Sequence, residues 1–167
     1  HQLPDTGKVP LVADISSCVL SQPIDVSKFG LLYAGAQKNM APAGLTVVIV
    51  REDLLGHARE TTPTMLNYVT HSENGSMFNT PPTYAIYICK LVLEWLRDEI
   101  GGLQEMEKIN QKKASLLYQF LDQSKLFHGT VVPEDRSLMN IPFVTGDENL
   151  DKEFVNAAKQ AGFVDLK

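Results

Sequence analysis

Three short apolar runs occupy the first third of the chain, and each has the length of a strand. They cover residues 9–13, 30–34 and 45–50, and the last of them, LTVVIV, is continuous and rich in β-branched side chains. The first run, residues 9–13, is typical of a buried strand in a parallel sheet. The first run ends at Asp14, which predicts a carboxylate at the C-terminal end of a strand.

Residues 56–80 show no clear periodicity and contain many turn formers, so we predict a long excursion there, and such excursions usually carry function. Asn79 and Thr80 are good N-cap residues, and Pro81 and Pro82 suit a first helical turn, which predicts that a helix starts at this point. Its apolar positions recur at helical spacing and are expected to face the core: Tyr84, Tyr87, Ile88, Leu91, Val92, Trp95 and Leu96.

The break at Gly101 and Gly102 separates this helix from a second amphipathic helix, predicted over residues 103–121. Its inward positions are expected to be Met106, Ile109, Leu116, Leu117 and Phe120. Two strand-like runs at 130–132 and 139–144 follow, and a final helix over 149–161 is predicted to start on Asp147. Strands, helices and strands again predict an α/β protein of two units, residues 1–100 and 101–167.

Composition and charge argue against several classes of function. The chain is 44% apolar and 21% charged, as in an average globular protein, and its net charge of −5 comes from scattered acids and bases. No basic stripe suited to nucleic acid is present, and no apolar run approaches the ~20 residues of a membrane span. The two cysteines have no metal-ligand spacing, so we expect no metal site and a reducing, cytoplasmic environment.

Asp14 and Lys38 are the candidate chemical groups, because ligands bind at the C-terminal ends of strands in open α/β sheets. The small neighbours of Lys38 in "AGAQKN" predict a partly desolvated amine, with the lowered pKa that a Schiff-base lysine needs. A lysine extending from a surface loop remains the alternative. The helix start after Asn79 could bind phosphate or could be a plain cap. Together these features match pyridoxal phosphate.

The resemblance that joins these features is carried by long stretches of sequence. "PLVADISSCVLSQPIDVSKFGLLYAGAQKNMAPAGLTVVIVREDLLG", "NGSMFNTPPTYAIY", "LVLEWL" and "RSLMNIPF" resemble the phosphoserine aminotransferases, a fold-type I pyridoxal-phosphate family, in the right order. The resemblance implies that Lys38 is the Schiff-base lysine, Asp14 the partner of the pyridinium nitrogen and Gln37 a phosphate contact. It also implies that Asn79 and Thr80 reach the cofactor phosphate of a neighbouring subunit, and therefore a homodimer with shared active sites.

By the same resemblance, the intact enzyme transfers the amino group of glutamate to 3-phosphohydroxypyruvate in serine biosynthesis. The chain resembles only the middle of the large domain and part of the small C-terminal domain, so we expect a fragment of a longer protein. Two alternatives stay open: a catalytically incompetent fragment that binds cofactor and dimerises, and another fold-type I enzyme with a different substrate. Ser16 and Ser17 could equally bond the cofactor or cap a turn, and the four histidines are expected at the surface.

Overall fold

The structure, a computed structural model, describes residues 3–166, which form two compact units. The first unit extends to Glu107 and the second begins at Lys108, within a long helix. The division of the chain into domains 1–100 and 101–167 stays a prediction. None of the helices in the described range is long and apolar enough to cross a membrane.

A three-stranded mixed sheet is the centre of the first unit. Its strands are β1 (Val12–Asp14), β2 (Leu31–Gly35) and β3 (Thr46–Val50), in that spatial order. β1 runs parallel to β2, with Asp14 beside Tyr33, and β3 runs antiparallel to β2. The carboxyl ends of β1 and β2 therefore meet at one edge of the sheet, as the sequence predicted.

The strand bounds differ from the predicted ones by one to three residues. β1 begins at Val12 instead of residue 9, because Pro10 has no N–H with which to pair. β2 begins at Leu31 and extends to Gly35, and β3 begins at Thr46. These shifts leave the predicted α/β architecture unchanged, and that architecture is confirmed.

The described residues form four α-helices that follow or flank these strands: α1 (Tyr68–Glu73), α2 (Thr83–Trp95), α3 (Leu103–Gln123) and α4 (Glu148–Gln160). The sequence did not predict α1, which occupies six residues of the expected excursion. α2 continues into a π-helical turn, Leu96–Ile100, and ends at Gly101 with φ of 89°, a left-handed conformation that glycine adopts without steric cost.

The predicted inward face of α2 is partly wrong. Ala85, Cys89 and Leu96 are buried, and Cys89 packs in a core cluster with Ala34, Ala36 and Met40. Four of the residues predicted to be inside are exposed instead: Tyr84, Tyr87, Leu91 and Trp95. Because α2 is apolar nearly all round, periodicity alone cannot choose its face. Small side chains at 85 and 89 allow the helix to approach the core closely.

The second unit contains most of α3, a two-stranded antiparallel ladder and α4. The ladder pairs β4 (His128–Gly129) with β5 (Phe143–Val144), so each predicted strand here is shorter or displaced. The rings of Phe127, Phe143 and Phe154 pack against one another, with centroid distances of 4.9 to 6.0 Å. Three residues of α3 that were predicted to be inside are exposed: Ile109, Leu116 and Phe120. Ala114 and Leu121 are buried instead.

The start of α4 is confirmed. The side chain of Asp147 accepts hydrogen bonds from the backbone N–H groups of Asn149 and Leu150, so it caps the helix as predicted. Asp151 in the first turn also binds Thr145, through both the backbone N–H and the hydroxyl.

Candidate functional site

The loop after β2 presents Gln37 and Lys38 at the edge of the sheet. Ala36 and Met40 are buried on either side of them, and the backbone N–H of Met40 donates to the carbonyl of Ala36. The Asn39 side chain donates to the carbonyl of Val19 at 2.8 Å, which connects this loop to the turn after β1. The two strand-end loops are thereby held together.

Lys38 itself is exposed, so the partial desolvation predicted from its small neighbours is wrong for this chain. The small neighbour Ala36 and the side chain of Met40 fill the core beneath the loop instead of covering the amine. Within the described chain, Nζ of Lys38 is therefore accessible to solvent and to a ligand.

Asp14 is held by Ser16. Its Oδ1 accepts hydrogen bonds from the Ser16 N–H at 2.8 Å and the Ser16 hydroxyl at 2.5 Å. The Ser16 hydroxyl bond lowers the pKa of Asp14, the Ser16 N–H lowers it further, and Tyr33 and the charge of Lys38 add smaller contributions in the same direction. Asp14 is therefore a carboxylate at neutral pH. An exposed anion at this position can bind a protonated ring nitrogen.

Gln37 lies against Gly35. A Cβ atom placed on Gly35 would be 2.6 Å from Oε1 of Gln37, which is closer than real contacts allow. Gly35 therefore makes room for the Gln37 carboxamide at the end of β2. This brings Asp14, Gln37 and Lys38 to the same edge of one sheet.

Asn79 and Thr80 do not cap α2, so this prediction is wrong. The N-cap position of α2 belongs to Pro82, which makes no side-chain cap hydrogen bond, and the helix begins at Thr83. A residue before proline is disfavoured in the helical region, so Thr80 and Pro81 stay outside the helix. Asn79 and Thr80 are therefore not the N-cap of the helix at which the phosphate site was predicted.

Asn79 and Thr80 instead line a surface cavity of about 440 Å³ beside β3 and α1. Its other polar lining residues include Tyr68, His71 and Ser72, whereas Asp14 and Lys38 are absent from the described lining. The structure thus groups the predicted site residues in two places within the first unit. One place is the edge with Asp14, Gln37 and Lys38, and the other is this cavity.

Comparison with known proteins decides the family. The sequence model of the class-V aminotransferases matches residues 2–162. The chain belongs to this family. Curated phosphoserine aminotransferases from Bacillus cereus (strain ATCC 14579) and Pseudomonas aeruginosa are 58% and 55% identical over 165 residues, which confirms the resemblance found in the sequence. They match 99% of this chain and 46% and 45% of their own lengths, so the chain spans a little under half of these relatives.

Solved structures of phosphoserine aminotransferases agree with the fold. A phosphoserine aminotransferase from Bacillus circulans subsp. alkalophilus superimposes with a TM-score of 0.93 at 52% identity, over 99% of this chain and 46% of that chain. A pyridoxal-phosphate-bound phosphoserine aminotransferase from Trichomonas vaginalis superimposes with a TM-score of 0.91 at 38% identity, over 99% and 47%. The predicted fold, part of a fold-type I transferase, is confirmed.

The contacts of two residues at this candidate site were not predicted from the sequence. Ser16 was left with two possible roles, and Gly35 was seen only as a small neighbour of Lys38. The spacing Asp-x-Ser predicts a turn in which the Asp side chain accepts a hydrogen bond from the backbone two residues later. The hydrogen bond from Gly35 to Ser16 joins residues 19 positions apart, so local spacing does not predict it. Among residues 3–166, no three His, Cys, Asp or Glu side chains form a group that could hold a metal.

Proposed function

We propose that this chain is the cofactor-binding part of a phosphoserine aminotransferase, which transfers the amino group of glutamate to 3-phosphohydroxypyruvate and gives O-phosphoserine and 2-oxoglutarate in serine biosynthesis. The observation that carries this proposal is the meeting of the Asp14 carboxylate and the Lys38 loop at one edge of the sheet. The names of the relatives, at 55% to 58% identity, support the choice of substrates.

Pyridoxal 5′-phosphate fits the residues at this edge. Asp14 would hold the ring nitrogen in its protonated form, Gln37 would contact the phosphate, and Lys38 would bond the cofactor covalently through Nζ. When bound, the cofactor supplies an electron-withdrawing ring that stabilises negative charge next to the substrate amino group. Because Gly35 has no side chain, the Gln37 carboxamide can lie at the end of β2, beside the position that the cofactor would occupy.

Lys38 has the second task of moving a proton. Its Nζ would accept the proton from Cα of the amino-acid substrate and deliver it to C4′ of the cofactor, as general base and then general acid. The loop that carries it is fixed by buried Ala36 and Met40 and by the bond from Asn39 to Val19. A fixed loop keeps Nζ within reach of both carbon atoms during the transfer.

We assign Asn79 and Thr80 to the cofactor phosphate of a second copy, in a homodimer with shared sites. Both side chains are exposed, and the cavity that they line contains neither Asp14 nor Lys38 in the described chain. This separation supports a contribution to a neighbouring site instead of their own. Cys18 and Cys89 are free thiols, which supports the expected cytoplasmic location.

A second candidate concerns the 167-residue polypeptide by itself. It would bind the cofactor and dimerise without transamination. The exposure of Lys38 favours this candidate, because a catalytic amine in water lacks the dry surroundings that strengthen charge interactions in an active site. A third possibility is another fold-type I enzyme with a different substrate. The first candidate predicts O-phosphoserine as a product, and the third does not.

The test is the transamination assay in the intact polypeptide that contains this chain. With glutamate and 3-phosphohydroxypyruvate, we expect O-phosphoserine and 2-oxoglutarate in equal amounts. Lys38→Ala should lower kcat by at least about a hundredfold, because it removes the group that moves the proton. The control Lys28→Ala removes an exposed lysine paired with Asp25 and should leave kcat unchanged. Full activity of Lys38→Ala, or no phosphoserine from the unaltered protein, would contradict the proposal.

A further inference from the structure

The hydroxyl group of Ser16 connects the ends of two strands. It donates its proton to Oδ1 of Asp14 at 2.5 Å and accepts a hydrogen bond from the backbone N–H of Gly35 at 2.9 Å. A serine hydroxyl has a single proton, so this proton is already committed to Asp14. The alternative in which Ser16 donates to the cofactor is therefore disfavoured, and the residue connects the carboxylate to the start of the Lys38 loop.

A second Asp-x-Ser sequence in the same unit shows what is particular to Ser16. Oδ1 of Asp25 accepts hydrogen bonds from the hydroxyl of Ser27 at 2.6 Å and from its N–H at 3.2 Å. That pair is a local turn at the surface, and within the described residues no distant backbone group donates to Ser27. Ser16 differs by the third bond, from Gly35, which crosses from β2 to the turn after β1.

We propose that Ser16 is a positioning residue, which fixes the Asp14 carboxylate in the orientation that binds the cofactor ring nitrogen and couples that orientation to the end of β2. This inference rests on the proposed function. Two donors from Ser16 hold Oδ1, and fixing one carboxylate oxygen sets the direction of the other. The bond from Gly35 prevents the Ser16 hydroxyl from rotating freely, so the strand that leads to Gln37 and Lys38 also determines where Asp14 points.

The pKa of Asp14 depends on the same contact. Ser16 lowers the pKa of Asp14 through its hydroxyl first and its N–H second, Tyr33 and Lys38 lower it further, and burial opposes them. Burial raises the pKa of the nearby Cys18 thiol, and the negative charge of Asp14 raises it further. Loss of the hydroxyl should therefore raise the pKa of Asp14, and the loss of cofactor affinity on acidification should begin at a higher pH.

The experiment compares Ser16→Ala with Ser16→Thr, which keeps a hydroxyl, and with the control Ser27→Ala, all in the intact polypeptide. The pKa of Asp14 is measured by carbon NMR of the carboxyl group without cofactor, and the dissociation constant of pyridoxal 5′-phosphate is measured by titration. We expect Ser16→Ala to raise the pKa of Asp14 and to raise the dissociation constant about tenfold, since hydrogen bonds to charged groups are the strong ones. Ser16→Thr should restore most of both values, and Ser27→Ala should change neither.

Unchanged values in Ser16→Ala, or equal losses in Ser16→Ala and Ser27→Ala, would overturn the inference. If Ser16→Ala does not fold, Ser16→Cys, with a weak donor of similar size, is measured by the same criteria. Borohydride labelling separates this inference from the proposed function. If Lys38 is labelled but Ser16→Ala leaves the pKa of Asp14 and the dissociation constant unchanged, the inference alone is rejected. If Lys38 is not labelled in the protein without substitutions, the proposed function is rejected.

Discussion

At the scale of single residues, the space next to a glycine organises the candidate site. Gly35 ends β2, and the Gln37 side chain folds back into the volume that a side chain at 35 would fill. Gly35 is not in the left-handed region, so its role is to provide room and not an unusual backbone angle. The position of the Gln37 side chain therefore depends on the absence of a side chain at Gly35.

Gly35→Ala tests this dependence. The new methyl group would meet the end of a flexible side chain, so the free energy of unfolding should change by less than about 1 kcal/mol while Gln37 moves away. We expect the cofactor dissociation constant to rise about tenfold through loss of one phosphate contact. Titration with pyridoxal 5′-phosphate measures it.

Gly129→Ala is the matched control for this change, because the nearest atom to its added Cβ is 4.0 Å away. The double variant Gly35→Ala/Gln37→Ala should bind no more weakly than Gln37→Ala alone. Additive losses in the double variant would show that Gly35 acts independently of Gln37 and would contradict the account.

Sequence reasoning reached Asp14 and Lys38 because strand ends in α/β sheets are general places for ligands, and the resemblance supplied Gln37. It could not predict the hydrogen bond between Gly35 and Ser16 or the exposure of Lys38. Both depend on which groups the fold brings together across 19 or more residues, and local spacing does not contain that information.

At the scale of elements, the two predicted helix starts had different outcomes. Asp147 has the expected N-cap geometry, whereas the two prolines before α2 delay its start until Thr83. Capping preferences identify residues that can accept the free N–H groups. The backbone restriction imposed by consecutive prolines decides whether those residues stand in the correct position.

Asp147→Ala and Asn79→Ala should therefore behave differently. Loss of the Asp147 cap should lower the free energy of unfolding by about 1 kcal/mol, because two N–H groups lose their acceptor. Asn79→Ala removes no cap and should change it by less than about 0.5 kcal/mol. Urea unfolding followed by circular dichroism measures both. A larger loss from Asn79→Ala would restore it as the cap of α2.

At the scale of the whole molecule, the chain matches less than half the length of its curated relatives and exposes much apolar surface. Tyr84, Tyr87, Leu91 and Trp95 share one face of α2 and are between 41% and 70% exposed. The helical period predicted that these residues share a face, and the structure shows that this face points away from the core. Because both sides of α2 are apolar, the sequence pattern cannot show which side faces the core.

The exposure of this face can be measured in the 167-residue polypeptide. Leu91→Gln should change the free energy of unfolding by less than about 0.5 kcal/mol and should reduce the binding of an apolar fluorescent dye. Cys89→Gln, on the buried side of the same helix, should destabilise by about 2 kcal/mol or more, because it places an amide in the core. Equal destabilisation by the two changes would show that the apolar face of α2 is packed.

The central claim, that Lys38 holds the cofactor beside Asp14, is tested most directly by chemical labelling. The intact polypeptide is saturated with pyridoxal 5′-phosphate, reduced with borohydride and digested, and the modified peptide is identified by mass spectrometry. We predict one stoichiometric label, on the peptide that contains Lys38, and its loss in Lys38→Ala. A label distributed over other lysines, or a stoichiometric label at a different one, would contradict the account.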